Sequence, residues 1–95
     1  MYLEFQVLLK EKVEKSLENL PLPIVNKFRG WIKFVELYGV SEARLIKGFH
    51  DEPLKGNRKG QRSIRLNRAY RAIYIQHSTG HLEIIEVIEV HKHDY

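Results

Sequence analysis

Residues 63–91 read SIRLNRAYRAIYIQHSTGHLEIIEVIEVH, and this stretch decides the fold. It is rich in β-branched and aromatic residues and is interrupted twice by turn-forming residues, at 67–69 and at 78–80. Apolar and polar residues alternate in its first part, which is the pattern of a half-buried strand. We therefore predict three consecutive antiparallel strands, the last of which runs from residue 82 to about residue 91.

The residues before this stretch predict one strand and two helices. Residues 3–7 alternate between apolar and polar side chains, as in a short strand. Apolar residues then recur at helical spacing over residues 9–19, and Pro21 and Pro23 interrupt that pattern. A second helix is expected to start at Pro23, to bury Ile32 or Trp31, and to end in a left-handed cap at Gly39. Ser41 and Glu42 are then expected to cap one further short turn through Leu45.

These elements predict a single α+β domain over residues 1–95. Its expected order is strand–helix–helix–strand–strand–strand, with two N-terminal helices packed on one small antiparallel sheet. The chain has 95 residues, of which 43% are hydrophobic, enough for one packed core. It contains no cysteine, which excludes disulfides, thiolate metal sites and a cysteine nucleophile. We expect a cytoplasmic protein, because the sequence offers neither a signal peptide nor a membrane-spanning run. We also expect no cofactor.

Positive charge is concentrated in one segment, residues 44–71. This segment carries nine lysines and arginines against two acids, a charge of +7 in a chain whose net charge is +4. A basic segment in an otherwise slightly acidic chain is typical of a surface that binds a polyanion. The alternative is a solvated surface that only keeps the protein soluble.

Several residues in and after this segment fit the cleavage of RNA by its own 2′-hydroxyl. On a simple hairpin, Arg65 and Arg71 point away from the apolar face, and His91, His93 and Tyr95 share one side of an extended tail. The reaction needs a proton acceptor, a proton donor and fixed positive charge near the phosphate, and the substrate supplies the nucleophile. No metal is required by this chemistry.

Each of these signals also has a structural explanation. The two strand arginines fit ordinary exposed sheet positions, and the C-terminal residues fit a frayed end. His91 and His93 have the spacing of a metal-binding pair, but a third ligand is not evident in the sequence. Tyr70 and Tyr74 are better explained by cross-strand packing than by stacking on bases.

The order of the pieces resembles the RelE-type toxins of bacterial type II toxin–antitoxin systems, especially the HigB and YoeB branches. The resemblance rests on the loop and strand of residues 49–67, the strand at 70–74 and the His/Tyr ending at 90–95. It implies a RelE-like fold and a toxin that cuts messenger RNA on the ribosome, inhibits translation and is neutralised by a cognate antitoxin. The antitoxin is expected to be acidic and partly disordered when alone.

By position, the resemblance implies that Arg71 contacts the scissile phosphate and that Arg65 is a basic residue on the preceding strand. His93 and Tyr95 match the tail residues used for acid–base work and base stacking, and Glu52 matches a base found in part of the family. Because Asp94 separates His93 from Tyr95, either His91 or His93 is the true counterpart. The residues expected to hold messenger or ribosomal phosphates are Lys47, Lys55, Arg58, Lys59, Arg62 and Arg68.

Two other functions remain open from the sequence. A ParE-like inhibitor of DNA gyrase shares the superfamily fold but does not depend on a catalytic tail. A plain RNA-binding or ribosome-binding module would use the same basic segment without cleaving RNA.

Overall fold

A computed structural model describes residues 2–92 of the chain. It confirms the predicted N-terminal strand, the two helices that follow it and the three C-terminal strands. A short third helix, Val40–Ala43, lies where one further short turn is expected. The structure adds a two-residue strand, and two 3-10 turns flank this strand, at Lys47–Phe49 and Gly56–Arg58. The helices and strands are β1 (Glu4–Leu9), α1 (Glu11–Leu17), α2 (Leu22–Tyr38), α3 (Val40–Ala43), β2 (Glu52–Pro53), β3 (Gln61–Arg65), β4 (Tyr70–Thr79) and β5 (Leu82–Lys92).

The sheet is mixed, and the expectation of a purely antiparallel sheet is wrong. Its strand order is β1-β5-β4-β3-β2, in which β1 pairs with β5 in parallel and the other neighbours are antiparallel. The helices connect the edge strand β1 to the rest of the sheet, and a connection of this kind allows two strands to run in the same direction. Residue patterning shows that a strand exists but does not show its direction relative to a distant strand.

A β-bulge interrupts the pairing of β4 with β5. Ile73 pairs with Glu89, whereas the next residue, Tyr74, pairs with Val87, so that Ile88 is the extra residue. Val87 and Ile88, the two adjacent apolar residues at the bulge, are both buried. The bulge also reverses which face of the sheet each later residue of β5 occupies, because side chains alternate along a strand.

The helices cover one face of the sheet, which we call the helix face. Trp31 is fully buried and contacts the ring of Tyr74 with centroids 5.4 Å apart, whereas Ile32 is only partly buried, so that Trp31 is the core residue of the two alternatives. None of the helices within residues 2–92 is long and apolar enough to cross a membrane. The buried core comprises Val13, Ile24, Phe28, Trp31, Val35, Val40, Ala43, Ile64, Leu66, Ala72, Tyr74, Ile85 and Val87.

Gly39 ends α2, as predicted, and joins it directly to α3. Its φ of 88° confirms the expected positive φ, but its ψ of 161° is extended, so the turn is not the predicted left-handed helical cap. A Cβ at this position would lie 2.6 Å from Cε1 of Phe5. The site therefore requires glycine for its backbone conformation and for the close approach of β1.

Candidate functional site

The strand register brings Arg65, Arg71 and His91 into one line across three strands. Arg65 of β3 pairs with Arg71 of β4, which in turn pairs with His91 of β5. Directly paired residues of antiparallel strands point to the same face, and this face is opposite to the helix face. We call these three residues the basic row. Arg65, Arg71 and His91 therefore lie on the same side of the sheet, as the chemistry inferred from the sequence requires.

A second row lies beside the basic row on the same face. Glu52 of β2 pairs with Ser63 of β3, Ser63 with Ile73 of β4, and Ile73 with Glu89 of β5. Residues from both rows and from the loop between β2 and β3 enclose a cleft of about 300 Å³. Its lining combines charged, hydroxyl and aliphatic side chains, from Glu52, Leu54, Arg58, Ser63, Arg71, Ile73 and His91.

Three polar atoms on this face are buried without a partner. Nε of Arg65, Nη1 of Arg71 and Oγ of Ser63 make no hydrogen bond to any described residue, and Ser63 is only 2% exposed. A buried polar atom without a partner costs about 1–3 kcal/mol, so such atoms are rare unless a ligand or water completes them. All three atoms are able to donate a hydrogen bond, which is the requirement for holding an oxyanion.

Glu89 is a site residue that the sequence analysis missed. Its Oε1 lies 2.5 Å from Nη2 of Arg58, and its Oε2 lies 3.5 Å from Nε2 of His91. Nε of the same arginine donates a hydrogen bond to Oε1 of Gln61 at 2.8 Å. The alternation of β5 before the bulge assigns Glu89 and His91 to the helix face. Only the bulge at Ile88 places both residues on the face that carries the cleft, and the sequence gives no direct signal of it.

The basic residues expected to hold phosphates are distributed unevenly. Lys47 is exposed in the 3-10 turn before β2, Lys55 and Lys59 are exposed in the loop between β2 and β3, and Arg68 is exposed in the turn between β3 and β4. Arg62 pairs with Tyr74 across β3 and β4 and therefore lies on the helix face, away from the cleft. The structure thus contradicts the expectation that Arg62 is part of the phosphate-binding surface. The predicted tail residues His93 and Tyr95 lie outside the described residues.

Arg62 instead takes part in a buried polar network around Asp51. The Asp51 side chain is 1% exposed, and its carboxylate accepts hydrogen bonds from Nε of Arg62 and from the hydroxyl of Tyr74, both at 2.6 Å. Burial alone would lower the pKa of Arg62, but the hydrogen bond and the attraction of Asp51 outweigh it and raise the pKa. Burial and the Asp51 carboxylate both raise the pKa of the Tyr74 hydroxyl, which therefore stays protonated.

No protein-family model and no curated protein matches this sequence. Solved structures do match it over nearly its whole length. A YoeB/ParE toxin from Agrobacterium tumefaciens is 21% identical with a TM-score of 0.74, and the match covers 94% of this chain and 99% of that one. YafQ from E. coli is 13% identical with a TM-score of 0.71, over 94% and 93% of the two chains.

A third match comes from a complex. The archaeal RelE–RelB complex from Pyrococcus horikoshii contains a chain that is 21% identical with a TM-score of 0.67, over 95% of this chain and 96% of that one. At these identities the comparison concerns the fold, and all three structures share it. The chain has the fold of the RelE- and YoeB-type toxins.

Proposed function

We propose that this protein is a toxin of a type II toxin–antitoxin system and cleaves messenger RNA on the ribosome. The observation that carries the proposal is the basic row, Arg65, Arg71 and His91, with two buried guanidinium nitrogens that have no partner among residues 2–92. The resemblance of residues 49–67, 70–74 and 90–95 to RelE-type toxins and the toxin fold of the matched structures support it. Because the proposed activity takes place on ribosomes, we propose that the protein acts in the cytoplasm.

The proposed reaction uses the 2′-hydroxyl of the substrate as the nucleophile. Arg71 and Arg65 bind the scissile phosphate and stabilise the charge that develops on its oxygens. Ser63 lies two residues before Arg65 on β3 and lines the cleft together with Arg71, but the reaction does not require it. The products are a 2′,3′-cyclic phosphate or its hydrolysed form and a free 5′-hydroxyl.

Proton transfer is assigned to groups at opposite ends of the cleft. Glu52 on β2 and His91 on β5 both line it. Their backbones are separated by three strand spacings and two residues along the strands, roughly 15 Å. This separation leaves room for a phosphodiester between the two side chains, so that one removes the proton from the 2′-hydroxyl and the other protonates the leaving 5′-oxygen. His93 and Tyr95 are proposed to add acid–base and stacking groups from the tail.

The exposed lysines Lys47, Lys55 and Lys59, together with Arg68, are proposed to bind phosphates of the messenger or of ribosomal RNA. Such contacts fix the position of the protein on RNA without reading its sequence. They also make binding depend on salt concentration, because each contact releases counterions.

Mapping the 5′ ends of cellular messenger RNA after induction tests the proposed function. We expect new 5′-hydroxyl ends within coding regions soon after induction, and we expect purified protein to cut messenger RNA when translating ribosomes are present. A DNA-supercoiling assay run in parallel serves as the comparison. Intact messages with inhibited supercoiling would favour a ParE-like gyrase inhibitor, and intact messages with ribosome binding would favour a non-catalytic module.

A cognate antitoxin is the proposed protein partner. One matched structure is the RelE–RelB complex, and another is the YoeB–YefM complex from Staphylococcus aureus, which is 19% identical with a TM-score of 0.68 over 96% of this chain and 98% of that one. The segment from 44 to 71 favours an acidic, partly disordered partner that folds on binding. We expect co-elution in gel filtration with the product of an adjacent small reading frame, and separate elution would contradict this proposal.

A further inference from the structure

We propose that Glu89 is a positioning residue that fixes the ring of His91, and that Arg58 holds Glu89 in place. The inference rests on the proposed ribonuclease function, in which His91 transfers a proton. It assigns a role to a carboxylate that the sequence analysis did not single out, and it changes the role of Arg58. Arg58 then acts on a side chain of the protein rather than on a phosphate of the substrate.

The carboxylate of Glu89 is held by Arg58, in the loop after β2, and the guanidinium of Arg58 is itself fixed by a second contact. Arg58 donates through Nη2 to Oε1 of Glu89 at 2.5 Å and through Nε to Oε1 of Gln61 at 2.8 Å. The guanidinium is planar and rigid, so binding at two of its nitrogens fixes its orientation as well as its position. Glu89 therefore presents Oε2 to His91 from a restrained position.

The second oxygen of Glu89 faces one particular nitrogen of His91. Oε2 lies 3.5 Å from Nε2, slightly beyond an ideal hydrogen bond and within reach of a small rotation of the ring. Contacts of this kind are commonly loose before substrate binds. A carboxylate at Nε2 favours the tautomer with its proton on Nε2, which leaves the lone pair of Nδ1 available for proton transfer.

A second histidine–glutamate pair, which joins β4 to β5, provides a control. Nε2 of His77 lies 3.1 Å from Oε1 of Glu86, and His77, unlike His91, does not line the cleft. The chemistry of the two pairs is the same, but only the Glu89–His91 pair belongs to the proposed site. Glu86→Gln is therefore expected to change the tautomer of His77 and to leave RNA cleavage unchanged.

The direct test combines nitrogen-15 NMR of the imidazoles with single-turnover cleavage of messenger RNA on purified ribosomes. In the wild-type protein the neutral ring of His91 is expected to carry its proton on Nε2. In Glu89→Gln, both the Nε2-protonated and the Nδ1-protonated tautomers of His91 are expected to be populated. The cleavage rate is expected to fall about 10- to 100-fold with little change in KM, since a mispositioned ring loses part of the roughly 10²–10⁴-fold that proton transfer supplies. Glu89→Asp, which keeps the charge, is expected to recover part of the rate.

Arg58→Gln and Lys59→Gln separate positioning from phosphate binding. Each substitution removes one positive charge, and the two positions are adjacent in the chain. Arg58 contacts Glu89, however, whereas Lys59 is exposed. Arg58→Gln is expected to lower the rate and to mix the His91 tautomers as Glu89→Gln does, and combining the two changes adds little. Lys59→Gln is expected to raise KM and to weaken the salt dependence of binding without changing the tautomer.

The outcomes distinguish this inference from the function on which it rests. If wild-type protein cleaves RNA and Glu89→Gln cleaves equally fast, or faster because a competing anion has been removed, the positioning role is overturned and the ribonuclease stands. An unchanged His91 tautomer in Glu89→Gln would also overturn it. Intact messenger RNA with the wild-type protein would overturn the proposed function and the positioning role together.

Discussion

Arg71→Ala is expected to abolish growth arrest on induction while the protein still folds and still binds its antitoxin. Arg71 occupies the centre of the basic row, between Arg65 and His91, and its Nη1 has no hydrogen-bond partner among residues 2–92. Removing one preorganised donor to a developing oxyanion typically costs about 10²–10³ in kcat. We expect a loss of at least this size in the ribosome cleavage assay, because alanine also removes the positive charge.

Two further variants define what Arg71 contributes. Arg71→Lys keeps the charge but loses the planar pair of donors, so we expect activity between those of the wild type and Arg71→Ala. Arg29→Ala, an exposed position on α2, removes an arginine from the part of the molecule opposite the cleft and is expected to retain full toxicity. Full growth arrest by Arg71→Ala at wild-type expression would refute the assignment.

The local parts of the fold follow directly from the sequence. The turn between β3 and β4 forms because Oδ1 of Asn67 accepts hydrogen bonds from the backbone N–H groups of Ala69 and Tyr70, at 2.7 and 2.8 Å. That tight turn sets the hairpin register, and the register in turn places Arg65 opposite Arg71. The common face of the two arginines was therefore predictable from adjacent residues alone.

The non-local parts could not be predicted in the same way. The parallel pairing of β1 with β5 joins segments separated by the whole helical region, and β2 has only two residues and no periodicity to detect. The bulge at Ile88 decides that Glu89 and His91 lie on the face opposite to the helix face, and it occurs where Val87 and Ile88 are both buried. Tertiary packing, rather than local preference, determines these features.

Arg62 shows how a count of charges misleads. It belongs to the basic segment by sequence, but strict alternation from the buried Ile64 already places it on the helix face. There its charge is balanced by Asp51, a residue that charge counting treats only as one of two acids in the segment. The face of the sheet on which a basic residue lies therefore predicts better than its position in the sequence whether that residue belongs to the cleft.

Asp51→Ala is expected to destabilise the protein by about 3–5 kcal/mol, the typical cost of removing one partner from a buried ion pair. It leaves the guanidinium of Arg62, which is 26% exposed, and the hydroxyl of Tyr74 without their shared acceptor. Tyr74→Phe removes the hydrogen bond to Asp51 and the acceptor of a longer one, 3.3 Å, from Nε of Arg44, and is expected to cost about 1–3 kcal/mol. Urea unfolding measures both, and Glu11→Ala, which breaks an exposed pair with Lys15, is expected to have no measurable effect.

The same network predicts how stability changes in alkali. The pKa of Tyr74 is raised in the folded protein, so the unfolded chain loses this proton first as the pH rises above about 10. The stabilisation is fully present below that pH and falls by about 1.4 kcal/mol per unit until the folded protein also ionises. Tyr74→Phe lacks this proton, so the stability difference between wild type and variant should shrink between about pH 9 and about pH 11. A constant difference would show that Tyr74 is not held protonated by burial and Asp51.

Because Asp51 immediately precedes Glu52, the network also anchors the strand that carries the proposed base, and Asp51→Ala should lower cleavage even where the protein remains folded.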